Sequence, residues 1–519
     1  MHWAQRIAED LIRKYPEKEV FVCASGISPS GSVHIGNFRE IITTYFVVRA
    51  LQKLGKKTRF IFSWDDFDRF RKVPKNIDSS YEKYIGMPYS EIPDPYGCHG
   101  SYAEHFESEF EEALRVFGID VEFIYQSKEY KSGRYNENIL YALKERKKIY
   151  DILMRFKTQQ PTEEEKNSFY PITLYCESCR KDNTTIESFE ESTGEIQYGC
   201  KCGNSGCVKV LEADNIKLNW KIDWPMRWMG EDVIFEPGGA DHSAETGSYN
   251  VSKVICREIF NHQAPEYAAY AFIGIKGANG KMSSSAGNII TPGELLKIYT
   301  PEIILFMFSK YMPNAAFNIG LDDDVLRNYS EFERYSNANE MGRLSDEDIK
   351  YSLELSYLGA ENSNLPKFGQ MAGIFPLVNF DINTLQHVLN KAGESYSIDK
   401  IKILSDRIYH WINEWNQEKA ISIRVVKDKE YYDSLSDKEK DWLNGLCDVI
   451  ENSENQDNTS LMKDLYDVCH DDDKKIKKAN QKSLFSIVYK LVLNSDSGPR
   501  LPLLIKTVGI EGCLNLLKF

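Results

Sequence analysis

The sequence contains no long apolar run. Nothing in it approaches the ~18 consecutive uncharged apolar residues that a membrane-spanning helix requires, so a helical membrane protein is not expected. The opening residues, Met1 to Arg6, pass directly into an amphipathic pattern carrying Glu9 and Asp10. They lack the uninterrupted apolar core of a secretory signal. A disulfide framework is missing as well. Cysteine occurs eleven times, an odd number, and five of these positions fall between Cys176 and Cys207. A reducing, cytoplasmic setting is therefore expected. There is no excess of positive charge: the formal net charge is −14. That argues against a sequence-blind binder of nucleic acid, which needs cations against phosphate. It leaves room for RNA docked on one basic face. Two short stretches qualify, Lys144 to Lys148 and the group Lys474, Lys475, Lys477 and Lys478, although an isolated charge run is usually only a solvated helix face. No internal repeat is found.

What is present is ordinary globular material, 42% hydrophobic and 27% charged over 519 residues. A chain of this length suggests about three domains. Val20 to Ala24 is a short apolar run closed by Ser25 and Gly26, as in a buried parallel strand. Phe38, Ile41, Ile42, Tyr45 and Phe46 then recur at helical spacing. Thr58 to Trp64 and Val121 to Tyr125 read as further strands. Strand, helix and strand in succession imply a parallel sheet with crossover helices. After about residue 292, helical periodicity dominates.

Three motifs carry chemistry. The first, Pro29 to Asn37, joins a predicted strand to a predicted helix, where parallel sheets bind ligands. His34 and Asn37 are three residues apart and can face phosphate oxygens together, aided by the helix N-terminus. Gly36 permits close approach. In the second, Gly277 to Gly280 leads into Lys281-Met282-Ser283-Ser284-Ser285. One cation and three hydroxyls on a glycine-rich loop suit a polyphosphate. The third is Cys176-Glu177-Ser178-Cys179, followed by Cys200, Cys202 and Cys207. Four thiolates are the preferred shell of structural zinc. Cys176, Cys179, Cys200 and Cys202 are the expected ligands because Gly203 allows a turn after the second pair, with Cys207 as the alternative fourth ligand. The scattered Cys23, Cys98, Cys256, Cys447, Cys469 and Cys513 read as core residues.

The first two motifs resemble the HIGH and KMSKS signatures of class I aminoacyl-tRNA synthetases. Asn37 replaces the second His, and Ser284 the second Lys. Both variants are similar to those of class I lysyl-tRNA synthetases. So are Ser63 to Asp68 with Arg71 to Pro74, Pro93 to Gly97, Trp220 to Trp228, Glu236 to His242, and the ending Ser497 to Leu501.

The resemblance implies an α/β fold: a Rossmann-like parallel-sheet catalytic domain over 1–290 with a small zinc-binding insertion at 170–212, a connective helical region at 291–340, and an all-α anticodon-binding domain at 341–519. It implies lysine activation with ATP and Mg²⁺, transfer to tRNA(Lys), a structural Zn²⁺, and a cytoplasmic monomer. His34, Asn37 and Lys281 would be catalytic. Pro29, Gly36, Asp241, Ser283, Ser284 and Ser285 would hold ATP. Gly26, Ser28, Asp65, Asp66, Trp220 and His242 would hold lysine. Asp65 and Asp66, at the end of a predicted central strand, are expected to take the substrate ammonium, since a buried cation needs a carboxylate partner.

Overall fold

The computed structural model describes residues 1–158, 160, 162–276, 289–359, 364–454 and 456–519. The chain divides into two compact units. The first comprises Met1–Leu295, Ile304–Ile319 and Gly342–Tyr357; the second comprises Leu296–Ile303, Gly320–Met341 and Leu358–Phe519.

The first unit is built on a parallel sheet. β1 (Val20–Ile27) pairs with β2 (Lys57–Trp64), and β2 pairs with β3 (Glu122–Tyr125), all parallel. On its other side β1 meets the segment around Phe235, through Ala24 N to Phe235 O at 2.9 Å and Ile234 N to Val22 O at 2.9 Å. That segment bonds in turn to Glu266 and continues as Gly238–Gly239, parallel to Ala269–Tyr270. The strand order therefore reverses between β1 and the Phe235 segment, which opens a crevice beyond their carboxyl ends. Phe21 to Ala24 are all buried, as a central parallel strand with both faces covered requires. Helix α1 (Trp3–Lys14) precedes β1, and helix α2 (Ile35–Lys53) follows it. Most of α2 is buried, including Arg39, whose guanidinium donates to the carbonyls of Ala271 at 2.9 Å and Met312 at 2.8 Å.

The cysteine-rich insertion forms its own three-stranded antiparallel sheet from Thr184–Glu190, Glu195–Cys200 and Ser205–Lys209. Tyr175, Cys176, Ile196 and Tyr198 continue its core into that of the neighbouring helices.

Among the described residues the second unit contains helices and no strand. Its core gathers Leu443, Leu446, Ile450, Leu465, Leu484, Leu491, Leu504 and Leu516. The units do not follow the expected boundaries. The helix Glu347–Ser356 packs with the first unit, where the N-terminal amine meets Asp348 at 3.2 Å and the His2 ring lies tilted against that of Tyr351, 5.1 Å between centroids. Asp324–Glu340 belongs with the second. No described helix is long and apolar enough to cross a membrane. Five of the six scattered cysteines are buried as expected; Cys98 is exposed, on a surface loop.

Candidate active site

The loop after β1 delivers His34 as the N-cap of α2. Its Nδ1 accepts the backbone N–H groups of Gly36 at 3.1 Å and Asn37 at 3.3 Å. His34 as a whole is 7% exposed. With Nδ1 acting as acceptor, the neutral ring carries its proton on Nε2, and that edge is the donor. Gly36 makes this possible: a Cβ there would lie 2.9 Å from the His34 ring, so any other residue would push the imidazole off the helix end. Asn37 stands in the first turn, half-buried, and Pro29 is buried below the loop. Gly26 closes β1 against β2, where a Cβ would meet Ser63 O at 3.0 Å.

The Gly238–Gly239 strand ends in a single turn bearing Asp241, which is exposed, and His242. The Asp241 carboxylate lies back over Gly239, whose Cβ would come within 2.5 Å of Oδ1. Lys281, Ser283, Ser284 and Ser285 lie outside the described residues.

The two strand-end aspartates are placed as expected but engaged otherwise. Asp65 is 6% exposed and Asp66 3%. Asp65 Oδ1 accepts from Arg227 Nη1 at 2.8 Å. Asp66 accepts the Ser127 N–H at 2.7 Å and also the Ser127 hydroxyl. Around them runs a buried charge network. Arg227 also meets Asp223 at 3.1 Å; Lys217 bridges Asp68 at 2.5 Å and Asp223 at 3.4 Å. Ser28 donates to Asp68 at 3.2 Å, and the Tyr130 hydroxyl to Asp223 at 2.5 Å. An ammonium at Asp65 would have to displace a guanidinium that already satisfies it. Arg227 lies 162 residues downstream of Asp65, too far for a local sequence pattern to show the pair.

Glu40, one turn into α2, is a further carboxylate with no ion pair among the described residues. Its oxygens accept Gly26 N–H at 3.0 Å and the Tyr270 hydroxyl at 2.8 Å. Burial pushes its carboxyl up to about 8, reinforced by the like charges of Glu236 and Asp65 and opposed by the two hydrogen bonds. Nearby Glu236 is pushed by burial to about 7 and accepts from Trp228 Nε1 at 2.6 Å. Gly26, Asp65, Trp220, Trp224, Arg227 and Glu236 line one narrow cavity. Trp220 stacks on Trp224 at 4.8 Å and lies under the Arg227 guanidinium at 5.1 Å; Trp224 meets His242 edge-on at 6.1 Å. Glu40 hides in the sequence because the apolar spacing of α2 makes it look like a solvent-facing position.

In the insertion, Cys176, Cys179, Cys200 and Cys202 bring their four sulfurs within 4.8 Å of one another. Cys176 to Cys202 and Cys179 to Cys200 are each 3.7 Å. Sulfurs held at ~2.3 Å around one tetrahedral ion stand about 3.8 Å apart, so this group could hold zinc. Gly203, at φ 92°, turns the chain after the second pair. Burial opposes ionisation of Cys176, but the Cys179 and Ser178 backbone N–H groups and the neighbouring thiols outweigh it and bring it to about 6. Cys207 stands outside the four, on the strand Ser205–Lys209 opposite Gln197.

A reversal in a parallel sheet, with a histidine-capped helix end on one side and an acidic turn on the other, defines a nucleotide-binding α/β enzyme. The tRNA synthetases class I (K) family matches residues 1–356, and the chain belongs to that family. A lysine–tRNA ligase of Pyrococcus horikoshii is 35% identical over 514 residues, covering 96% of each chain. One from Treponema pallidum is 33% identical over 539 residues, covering 98% of this chain and 97% of that protein. One from Streptomyces coelicolor is 32% identical over 572 residues, covering 99% and 98%.

Proposed function

We propose that the chain joins L-lysine to tRNA(Lys) in two steps at the crevice above β1. The lysine carboxylate attacks the α-phosphate of ATP in line, releasing pyrophosphate and leaving lysyl-adenylate. The lysyl group then passes to the 2′-hydroxyl of the terminal adenosine of tRNA, releasing AMP. Positioning and charge stabilisation carry the first step, because phosphoryl chemistry asks little covalent work of the protein. His34 Nε2 and the Asn37 side chain meet charge growing on phosphate, supported by the N-terminus of α2. Lys281, Ser283, Ser284 and Ser285 add a cation and hydroxyls to the phosphates, a role read from the sequence. Pro29 and Gly36 shape the nucleotide side and Asp241 reaches the ribose. Mg²⁺, when bound, neutralises the triphosphate.

The observation that carries the lysine reading is Glu40, a half-buried carboxylate with no ion pair among the described residues, set against Gly26 and Tyr270. An ammonium there completes it. Trp220 and His242 border the alkyl stem, while Gly26 and Ser28 close the strand end. Asp65 and Asp66 hold the floor of the pocket through Arg227 and Ser127. The test is direct: radiolabelled lysine, ATP and a tRNA(Lys) transcript should give acid-precipitable lysyl-tRNA, and no charging would overturn the reading.

Lysine affinity should depend on pH. Below about 8 the Glu40 carboxyl holds a proton, which must leave before an ammonium can pair with it. The apparent lysine KM should fall as pH rises from 6 to 8, by up to about tenfold per unit, and level off above. A flat profile in pyrophosphate exchange would move the ammonium away from Glu40.

We assign Zn²⁺ to Cys176, Cys179, Cys200 and Cys202, a closed structural site. Cys176→Ser should lose that zinc and lower the melting temperature of the insertion, since metal binding to such sites is folding free energy. Unchanged zinc by elemental analysis would refute the ligand set.

A further inference from the structure

The closing strand of the cysteine-rich insertion brings Lys217 into the buried charge network around Asp65 and Asp68. Ile216–Leu218 pairs antiparallel with Ile172–Leu174, the strand that leads into Cys176, and Thr173 stands opposite Lys217. The two ends of the insertion are tied again at Tyr175. Its N–H donates to Asn215 O at 2.9 Å, and Asn215 Nδ2 donates to Tyr175 O at 2.7 Å. The Tyr175 hydroxyl crosses to Phe67 O at 2.7 Å, one residue before Asp68.

A lysine as buried as Lys217, 5% exposed, is costly unless carboxylates surround it. Its ammonium lies 2.5 Å from Asp68 and 3.4 Å from Asp223, and 5.6 Å from the centre of the Tyr130 ring. Asp223 is satisfied without it, by Arg227 Nη2 at 3.1 Å and the Tyr130 hydroxyl at 2.5 Å. Asp68 makes no other ion pair among the described residues. Its second oxygen accepts from the Ser28 hydroxyl at 3.2 Å, and Ser28 is the residue that follows β1, half-buried at the strand end.

Lys217 sets the direction of that last hydrogen bond. Burial opposes the charge of Asp68, and the Lys217 ammonium outweighs it, holding the carboxyl below the usual carboxylate range. An ionised carboxylate only accepts, so the Ser28 hydroxyl must donate its one proton to Asp68. The Ser28 oxygen is left with lone pairs alone. In that state it accepts from an ammonium and has no proton to offer an anionic side chain. Without the cation, a buried Asp68 is free to take up a proton and donate it to Ser28, which turns the hydroxyl proton outward.

We propose that Lys217 is a positioning residue for substrate recognition: through Asp68 it fixes the Ser28 oxygen as an acceptor for an ammonium of the substrate, so that the cysteine-rich insertion supplies part of the amino-acid specificity. The assignment rests on the lysine-activating reading, in which Ser28 borders the bound amino acid.

Lys217→Met, close in length and without charge, should raise the lysine KM of pyrophosphate exchange by about ten- to a hundredfold, the range for a hydrogen bond to a charged group. The kcat and the ATP KM should stay at their wild-type values. Ser28→Ala should raise the lysine KM in the same way, and the double variant should lose no more than either alone, because the two residues act in one chain. Asp68→Asn, which offers one acceptor oxygen to two donors, should behave like Lys217→Met and takes its place should that variant fail to fold. Thermal melts on each variant separate recognition from stability. A Lys217→Met protein that melts lower but keeps the wild-type lysine KM overturns the assignment. So does a Ser28→Ala protein with wild-type lysine KM, or a double variant in which the two losses multiply. A wild type that does not exchange with lysine sinks the lysine-activating reading, and the role of Lys217 falls with it. Wild-type exchange left unchanged by Lys217→Met and Asp68→Asn overturns the role of Lys217 alone.

Discussion

Replacing His34 with alanine is expected to slow lysyl-adenylate formation by about 10²–10³ while leaving lysine affinity unchanged, the usual result of removing one donor aimed at transition-state charge. The geometry provides a control. His34 caps α2 through Nδ1, so alanine also removes a cap, a loss of about 0.5–2 kcal/mol. Asparagine is a good cap but lacks a donor at the Nε2 position. His34→Asn should therefore melt near the wild type yet show nearly the full loss of rate. Pre-steady-state pyrophosphate exchange and a thermal melt separate the two effects. If His34→Asn exchanges at the wild-type rate, His34 serves only to cap α2.

The second large effect is at Glu40. Glu40→Gln should raise the lysine KM by the equivalent of about 2–5 kcal/mol, the cost of removing one partner of a buried charge pair. It should leave the ATP KM alone and flatten the lysine pH profile, since no group near pH 8 remains at that position. Asp65→Asn should behave differently. It strips the guanidinium of Arg227 of one of its two carboxylates, leaving a buried cation less well paired, so its main effect should fall on stability. Substrate titrations and melts on both variants decide the assignment. If Asp65→Asn loses lysine affinity and Glu40→Gln does not, the ammonium lies where the strand-end carboxylates first suggested.

These outcomes show which parts of the molecule are legible from sequence. β1, the His34 loop and the cysteine insertion could be read because their signals are local: an apolar run, a strand-to-helix junction, a knuckle spacing. The grouping of Cys202 with Cys176, Cys179 and Cys200 follows the same local spacing, with Gly203 turning the chain after the second pair. The pairing of Asp65 with Arg227 spans 162 residues and leaves no local trace. Glu40 lies among apolar residues of a helix that is buried on nearly every side, so its half-buried place against Gly26 and Tyr270 depends on packing that a linear pattern does not record. Cys98 looked like one more core thiol because only the folded loop brings it to His99 and His105. Helix Glu347–Ser356 reads as part of a continuous helical region; its contacts with the N-terminus assign it to the first unit.

The central claim is that this crevice activates lysine. The most direct test is pyrophosphate exchange by the purified chain with ATP and each of the twenty amino acids in turn, with and without tRNA(Lys). Exchange with lysine alone is the predicted result. Exchange driven by glutamate, arginine or any other amino acid, or none with lysine even when tRNA is present, would contradict it.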